Sequence, residues 1–237
     1  MKKLIAILLA LSLLLMFAAC GSGSDSGTGN DSQSVQEAGN VSDNSVYEGE
    51  LTEESLRNYK VAPESDFKYC IDIEDDGNGV SVTGYTGKDT VVVIPETIDG
   101  QPVTEVCCWD FANDSPVRGV YCPPSVKRIG AFGNNDALEI VICEGAEELL
   151  ESAFIGCSRL RTVVLGDNLK KINGAAFGVC KSLTEVYIAP SMTEVEVDYT
   201  SSYAMVFFGA DNLTVKGEEG SFIESFCEEQ GVPFEAV

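Results

Sequence analysis

A pattern of about 22 residues recurs through the second half of the chain. The segments LRTVVL (160–165) and LTEVYI (183–188) align on a leucine, a valine and a final aliphatic residue. Phe154 and Phe177 are 23 residues apart, as are the cysteines that follow each of them. Because several residue types share one spacing, the pattern is an internal repeat, and repeats of this length indicate stacked architectures. The repeats begin at Val117, Leu138, Leu160, Leu183 and Leu213.

The repeat predicts a solenoid with a short parallel β-ladder. In the segment 160–165 the first, fourth and sixth residues are apolar, so they turn toward the interior of a short strand. Strands of successive units stack about 4.8 Å apart, and the rest of each unit forms an irregular or short helical back. One unit cannot bury its apolar face alone, whereas about four or five stacked units can. A phenylalanine of each unit fills the space behind its strand: Phe111, Phe132, Phe154, Phe177 and, in the last unit, one of the pair Phe207-Phe208.

Both ends of the array carry signals for caps. Phe67, Tyr69 and Ile71 alternate with polar residues before the turn DDGNG (75–79), which indicates a β-hairpin. After the last repeat, Ser221 is a suitable N-cap for the helix FIESFCEEQ, and Gly231 is a suitable stop. The longer interval before the last repeat indicates an insertion near VDYTSSYAM (197–205). We therefore expect an N-terminal hairpin cap and a C-terminal helix-strand cap.

The first twenty residues have the organisation of an export signal. Lys2 and Lys3 precede an apolar stretch (4–17), and two alanines lead to Cys20. A membrane-spanning helix is the alternative, but the stretch is shorter than the ~20 residues that such a helix needs. The segment resembles the lipobox of bacterial lipoprotein precursors. The resemblance implies that residues 1–19 are removed and that Cys20 carries a lipid that anchors the chain in a membrane.

A low-complexity segment follows the lipidation site. Residues 21–45 consist mainly of Gly, Ser, Asn and Asp, so they cannot bury enough apolar surface to offset their chain entropy. We interpret residues 20–60 as the lipidated cysteine and a flexible linker, and residues 61–237 as the folded domain. A short helix within 47–59 remains open as an alternative for the end of the linker.

Composition narrows the classes of function. The 38 acidic residues against 15 Lys plus Arg give a net charge of −23, which repels the phosphates of nucleic acids. The chain has no histidine, which excludes Ser-His-Asp relays and His-ligated zinc. We expect a non-catalytic protein without a cofactor or metal. Asp72, Glu74 and Asp76 resemble the start of a calcium loop, but Thr83 stands where a bidentate glutamate is needed, so we interpret the segment as a polar turn.

Eight cysteines remain besides Cys20. Cys122 and Cys143 share one repeat position, and Cys157 and Cys180 share another. Neighbouring rungs are close enough for a disulfide, but parallel side chains give poor disulfide geometry. We favour reduced cysteines that act as small apolar fillers of the core.

The repeats resemble the BspA-type, or Treponema pallidum-type, leucine-rich repeats of bacterial surface proteins. The segment 84–113 is similar to the usual first unit, and the segment 220–237 is similar to the usual end of such arrays. The resemblance covers residues 67–237 and implies a leucine-rich-repeat solenoid associated with surface adhesion and protein binding. It specifies no ligand.

The outward strand positions form the candidate binding face. Contiguous exposed apolar residues often mark interfaces, although β-branched and aromatic residues are also favoured in any strand. The favoured function is a membrane-tethered, non-catalytic adhesion module that binds a protein or glycan at the cell surface. The alternative is an accessory lipoprotein that captures a substrate for a transporter or surface enzyme. The candidate residues are Tyr121, Ile142, Val164 and Tyr187 in one row, with Ile140 and Glu185 beside them.

Overall fold

The computed structural model describes residues 49–72, 79–196 and 205–237, all within the compact unit Asn40–Val237. The predicted signal peptide, Cys20, the linker up to residue 48, Glu74, Asp76 and nearly all of the predicted insertion lie outside the described residues. The helices of the described part are α1 (Glu53–Arg57) and α2 (Phe222–Gln230). Its strands are β1 (Phe67–Asp72), β2 (Gly79–Tyr85), β3 (Val91–Val93), β4 (Thr97–Ile98), β5 (Gln101–Cys107), β6 (Gly119–Tyr121), β7 (Arg128–Gly130), β8 (Ile140–Cys143), β9 (Glu148–Leu149), β10 (Thr162–Leu165), β11 (Lys171–Asn173), β12 (Glu185–Tyr187), β13 (Glu194–Glu196), β14 (Thr214–Gly217) and β15 (Phe234–Ala236).

The strands form a parallel solenoid, as the repeat predicts. Sheet 1 has the order β1-β2-β5-β7-β9-β11-β13, with β4 paired to β5. Sheet 2 has the order β3-β6-β8-β10, and sheet 3 the order β12-β14-β15. Apart from the antiparallel pairs β1–β2 and β4–β5, the described strand pairs are parallel. The predicted leucine-rich-repeat solenoid is confirmed.

The back of each repeat contains the predicted irregular segment, as in the turns of residues 151–159 and 174–182. Before this segment each repeat carries a second short strand that was not predicted, and these strands build most of sheet 1. The inward residues of these strands stack in one row, which is buried as far as Ile172 and partly buried at Val195. Each of them is the last apolar residue of an i, i+3 pair that recurs with the repeat. The row runs through Val106, Ile129, Leu149, Ile172 and Val195.

A continuous stack of aromatic rings forms the centre of the core. Phe132, Phe154 and Phe177 are completely buried, and their neighbouring ring centroids lie 5.5 and 5.6 Å apart. In the last unit Phe207, the first residue of the pair Phe207-Phe208, continues the stack at 5.7 Å from Phe177. Stacked rings at this spacing stabilise a core beyond the area they bury. The stack runs through Phe67, Tyr85, Phe111, Phe132, Phe154, Phe177, Phe207 and Phe226.

Cys157 and Cys180 occupy the repeat position that Asn135 takes in the unit before them. Asn135 is fully buried and donates from Nδ2 to the carbonyl of Phe111 at 2.8 Å. The thiols of Cys157 and Cys180 donate in the same way to the carbonyls of the preceding units, each at 3.1 Å. A buried carbonyl without a partner costs free energy, so these thiols act as donors as well as fillers.

We predict that alkylation of the native protein modifies Cys70 first. Cys70 is exposed, whereas burial raises the pKa of the Cys157 thiol to about 12 and also raises that of Cys180. Since the thiolate is the reactive form, the buried thiols should stay unmodified at pH 8. Mass spectrometry after iodoacetamide treatment measures this. The denatured, unreduced chain is the control, and fewer than eight reactive thiols besides Cys20 would show that disulfides exist.

The outward row of sheet 1 is a ladder of alternating charge. Glu105, Arg128, Glu148, Lys171 and Glu194 occupy successive rungs at one register position. Arg128 lies 2.8 Å from Glu105, and Lys171 lies 3.5 and 3.6 Å from Glu148 and Glu194. Opposite charges directly across a sheet stabilise the pairing. Since this row consists of charged side chains, it does not form an apolar binding surface.

Antiparallel strands lie at one end of the array and a helix at the other. Strands β1 and β2 pair antiparallel from Phe67 to Tyr85. Helix α2 begins after Ser221, whose hydroxyl accepts from the amide of Glu224, and it ends at Gly231 in the left-handed conformation. Phe226 of α2 is 6% exposed and packs on Phe207, so that it ends the aromatic stack.

Candidate functional site

The first half of the predicted binding face is covered by the N-terminal strap, which we define as residues 49–62. Leu56 of helix α1 is completely buried, and Leu51 and Tyr59 are 8% and 6% exposed. The strap joins the array where the amide of Ala62 donates to the carbonyl of Val93 at 3.0 Å. Its apolar side chains form one cluster with the outward residues Val91, Val93, Ile140 and Ile142.

Polar contacts fix the position of the strap. Thr52 and Ser55 form a reciprocal capping box at the start of α1. Arg57 makes two hydrogen bonds to the carboxylate of Glu144, at 2.7 and 3.1 Å. The guanidinium of Arg57 also lies 6.0 Å from the ring centroid of Tyr121. These contacts tie a short helix to two successive repeats.

Gly119 makes room for the strap. A Cβ atom at this position would lie 2.7 Å from Cδ1 of Leu56 and 3.2 Å from Cδ1 of Leu51. The neighbouring rungs of the same row carry Ile140 and Thr162. A glycine on a strand often marks a close approach of another segment, and here that segment is α1.

Two expectations are corrected by the strap. Ile140 and Ile142 are 2% and 0% exposed, so they do not form an exposed surface. The predicted domain boundary at residue 61 is too late, because Leu51 and Leu56 already belong to the folded part. Three apolar residues in an otherwise polar segment suffice for this, because the face beneath them is also apolar.

The second half of the face remains open as a groove. The open groove encloses a volume of about 330 Å³. We define it by residues 161–165, residues 185–187 of β12, Lys216 of β14 and Glu53 of the strap. Tyr187 is 38% exposed and Val164 is partly buried. Glu185 is exposed and its carboxylate lies 2.7 Å from Nζ of Lys216. The structure therefore brings Val164, Glu185 and Tyr187 together, while Tyr121 is partly covered by Arg57.

One carboxylate between two arginines sets the charge beside the groove. Glu139 bonds to Arg118 at 2.7 Å and also to Arg161. Burial raises the pKa of the Glu139 carboxyl, but the hydrogen bonds from the two guanidiniums outweigh this and hold it below its ordinary value. Glu139 is therefore ionised at neutral pH and fixes Arg161 at the start of β10.

We predict that acid loosens the strap. The hydrogen bond from Arg57 lowers the pKa of Glu144 below its ordinary value of 4.5. The pKa of such a carboxyl is lower in the folded state than in the unfolded state, so its ionised form stabilises the fold above the unfolded-state pKa. This stabilisation is lost as the pH falls through the folded-state pKa. Methyl NMR signals of Leu56 should therefore report release of the strap below about pH 4.5. The variant Glu144→Gln is the control, and an unchanged pH profile in that variant would contradict the assignment.

The described residues form another cavity at the C-terminal end of the array. It has a volume of about 520 Å³ and lies between the segment 205–211 and helix α2 with the residues that follow it. Within residues 49–72, 79–196 and 205–237, no group of three or more Cys, Asp or Glu side chains is placed to hold a metal ion. No helix of these segments is long and apolar enough to cross a membrane.

The repeats match a known family. The family model described as the BspA type leucine-rich repeat region matches residues 93–205 in six copies. The crystal structure of a leucine-rich-repeat protein from T. pallidum aligns with a TM-score of 0.57 and 26% identity, over 74% of this chain and 98% of that chain. The protein is a BspA-like leucine-rich-repeat protein. BspA-like proteins are surface-associated binding modules and are generally non-catalytic.

Two other solved structures are similar to part of this BspA-like protein. A leucine-rich-repeat protein from Bacteroides ovatus is 23% identical, with a TM-score of 0.41 over 64% of this chain and 45% of that chain. A leucine-rich cell surface protein from Faecalibacterium prausnitzii is 17% identical, with a TM-score of 0.37 over 67% of this chain and 55% of that chain. No curated protein matches the sequence.

Proposed function

We propose that this BspA-like protein is a membrane-tethered adhesion module that binds a partner protein in the open groove at the cell surface. The observation that carries the proposal is the division of one apolar face. Its first half binds the strap of the same chain, and its second half keeps Val164 and Tyr187 accessible beside the strap. A surface that already binds a peptide segment of this chain is suited to bind a segment of another protein.

The charge ladder of sheet 1 supports this choice of surface. Its outward row consists of charged side chains paired with one another, whereas the open groove combines an exposed aromatic side chain with unlike charges at its rim. Aromatic and arginine side chains are enriched among residues that dominate binding energy. The groove contains both, in Tyr187 and Arg161.

The position of the strap also supports the tether. The proposed lipid on Cys20 and the Gly/Ser-rich segment after it lead directly to residue 49, where the strap begins. A Gly/Ser-rich linker of this length would span on the order of 30 Å. The proposed tether would thus hold the domain close to the membrane.

We predict that changing two groove residues weakens ligand binding. The chain from residue 20, carrying Cys20→Ser, is immobilised and probed with extracellular-matrix proteins, whole bacterial cells and a glycan array. For a ligand found in this screen, Val164→Ser combined with Tyr187→Ala should raise Kd by at least about tenfold, because central aromatic contacts dominate interfaces. Surface plasmon resonance measures the change.

Tyr69→Ala is the matched control for this prediction. Tyr69 is 41% exposed, close to the 38% of Tyr187, but it lies on β1 at the other end of the array. If both variants lose the same affinity for the ligand, binding depends on exposed apolar residues in general and not on the groove. An unchanged Kd in the groove variant would overturn the proposed site.

A further inference from the structure

A second cavity adjoins the open groove where strand β10 begins. It has a volume of about 310 Å³ and is lined by Glu139, Arg159, Arg161 and Ser182. Arg161 belongs to both this cavity and the groove. A ligand in the groove would therefore meet two arginines at one end.

The local charge at this end is positive although the chain as a whole is strongly acidic. Glu139 is shared by Arg118 and Arg161, so this group of three carries one excess positive charge. Arg159 on the wall of the same cavity adds a second, and both Arg159 and Arg161 are exposed. Guanidinium groups bind carboxylates through paired hydrogen bonds, so two of them at the wall of one cavity favour an acidic group.

The strap shows which kind of segment this face binds. The strap is acidic in the first turn of helix α1, at Glu53 and Glu54, and it places Leu51 and Leu56 on the apolar row. The open groove continues the same row through Val164. A segment that combines acidic and apolar residues thus matches both the apolar floor and the basic end of the groove.

We propose that the partner presents to the open groove a protein segment that contains both acidic and apolar residues. This proposal rests on the proposed function. Its carboxylate lies between Arg159 and Arg161, and its apolar side chain lies on Val164 and Tyr187. The apolar floor favours a protein segment over an acidic sugar, because a sugar ring offers less apolar surface to cover it.

The probe for this proposal is a random-peptide phage library panned against the chain from residue 20 with Cys20→Ser. We expect the enriched peptides to carry acidic residues next to aliphatic or aromatic ones. Fluorescence anisotropy with the synthetic peptides should show at least about tenfold weaker binding to Arg159→Glu, and binding that weakens as salt increases. Arg159→Glu is a surface change, and urea unfolding checks that its stability is unaltered.

Lys68→Glu is the matched control, since it makes the same charge change at an exposed position on β1. Unaltered binding to Lys68→Glu, with loss in Arg159→Glu, supports the proposal. If the peptides bind Tyr187→Ala more weakly but bind Arg159→Glu unchanged, the proposal of an acidic partner is wrong. The proposed function of the groove is then still supported.

Two further outcomes separate the remaining possibilities. Failure to enrich any peptide would count against both the acidic segment and the proposed function. If the protein binds sialylated glycans through Arg159 but binds no peptide, the proposal of a protein partner is wrong. The cavity would then be a site for an acidic sugar.

Discussion

Replacing Phe154 by alanine should lower the free energy of unfolding by about 3–5 kcal/mol. Phe154 is completely buried at the middle of the aromatic stack, between Phe132 and Phe177. The change removes a large apolar side chain and leaves a cavity between two layers that cannot move closer, because their strands are fixed by hydrogen bonds on both sides. Urea unfolding followed by circular dichroism measures the loss.

Phe222→Ala is the matched control for the stack. Phe222 is 41% exposed, and its ring centroid lies 6.5 Å from that of Phe226, at the end of the stack. Its removal should change the free energy of unfolding by less than about 1 kcal/mol. A loss in Phe154→Ala no larger than in Phe222→Ala would show that the stack does not hold the repeats together.

Replacing Gly119 by valine should detach the strap while the repeats remain folded. Since a Cβ alone would lie 2.7 Å from Leu56, the larger side chain of valine cannot fit beneath α1. Overpacking of this kind costs about 1–3 kcal/mol. Hydrogen exchange at the strap amides should become about 5 to 150 times faster, as that cost predicts.

Thr162→Val is the control for Gly119→Val. Thr162 lies in the same outward row, two rungs further along, where it lines the open groove. Its replacement by a residue of similar size should leave exchange in the strap unchanged. Normal protection of the strap amides in Gly119→Val would contradict the packing of α1 on this row.

The repeat array was predictable because its signal is redundant. In the segment 160–165, Leu160, Val163 and Leu165 recur at equivalent positions of other units and all prove buried. The aromatic stack followed from the spacing of Phe154 and Phe177. The second strand of each repeat was missed although its signal is present, since Ile129, Leu149, Ile172 and Val195 also recur at the repeat spacing.

The strap was not predictable to the same degree. Leu51, Leu56 and Tyr59 do not recur in any repeat, and the segment before them is low in complexity. Its short helix is stable only through contacts distant in sequence, such as the ion pair of Arg57 with Glu144. Local pattern carries no information on such contacts, because short isolated helices are marginal in water.

The strap changes which residues of the predicted face are accessible. Sequence alone places Ile142 and Val164 in equivalent positions of one outward row, and the structure confirms that they pair across β8 and β10. One is buried beneath the strap and the other lines the open groove. The arginines at the end of the groove were missed as site residues, because Arg159 and Arg161 precede the strand and lie outside the strand pattern.

The most direct test of this account is the solvent accessibility of Ile142 and Val164 in one sample. Methyl groups of both residues are labelled, and their relaxation is measured as a soluble paramagnetic probe is added. We expect strong broadening of the Val164 methyl signals and little broadening of the Ile142 signals. In Gly119→Val the Ile142 signals should also broaden. Equal broadening of the two residues in the unmodified sequence would show that the strap does not cover the face, and would contradict the division on which the binding site rests.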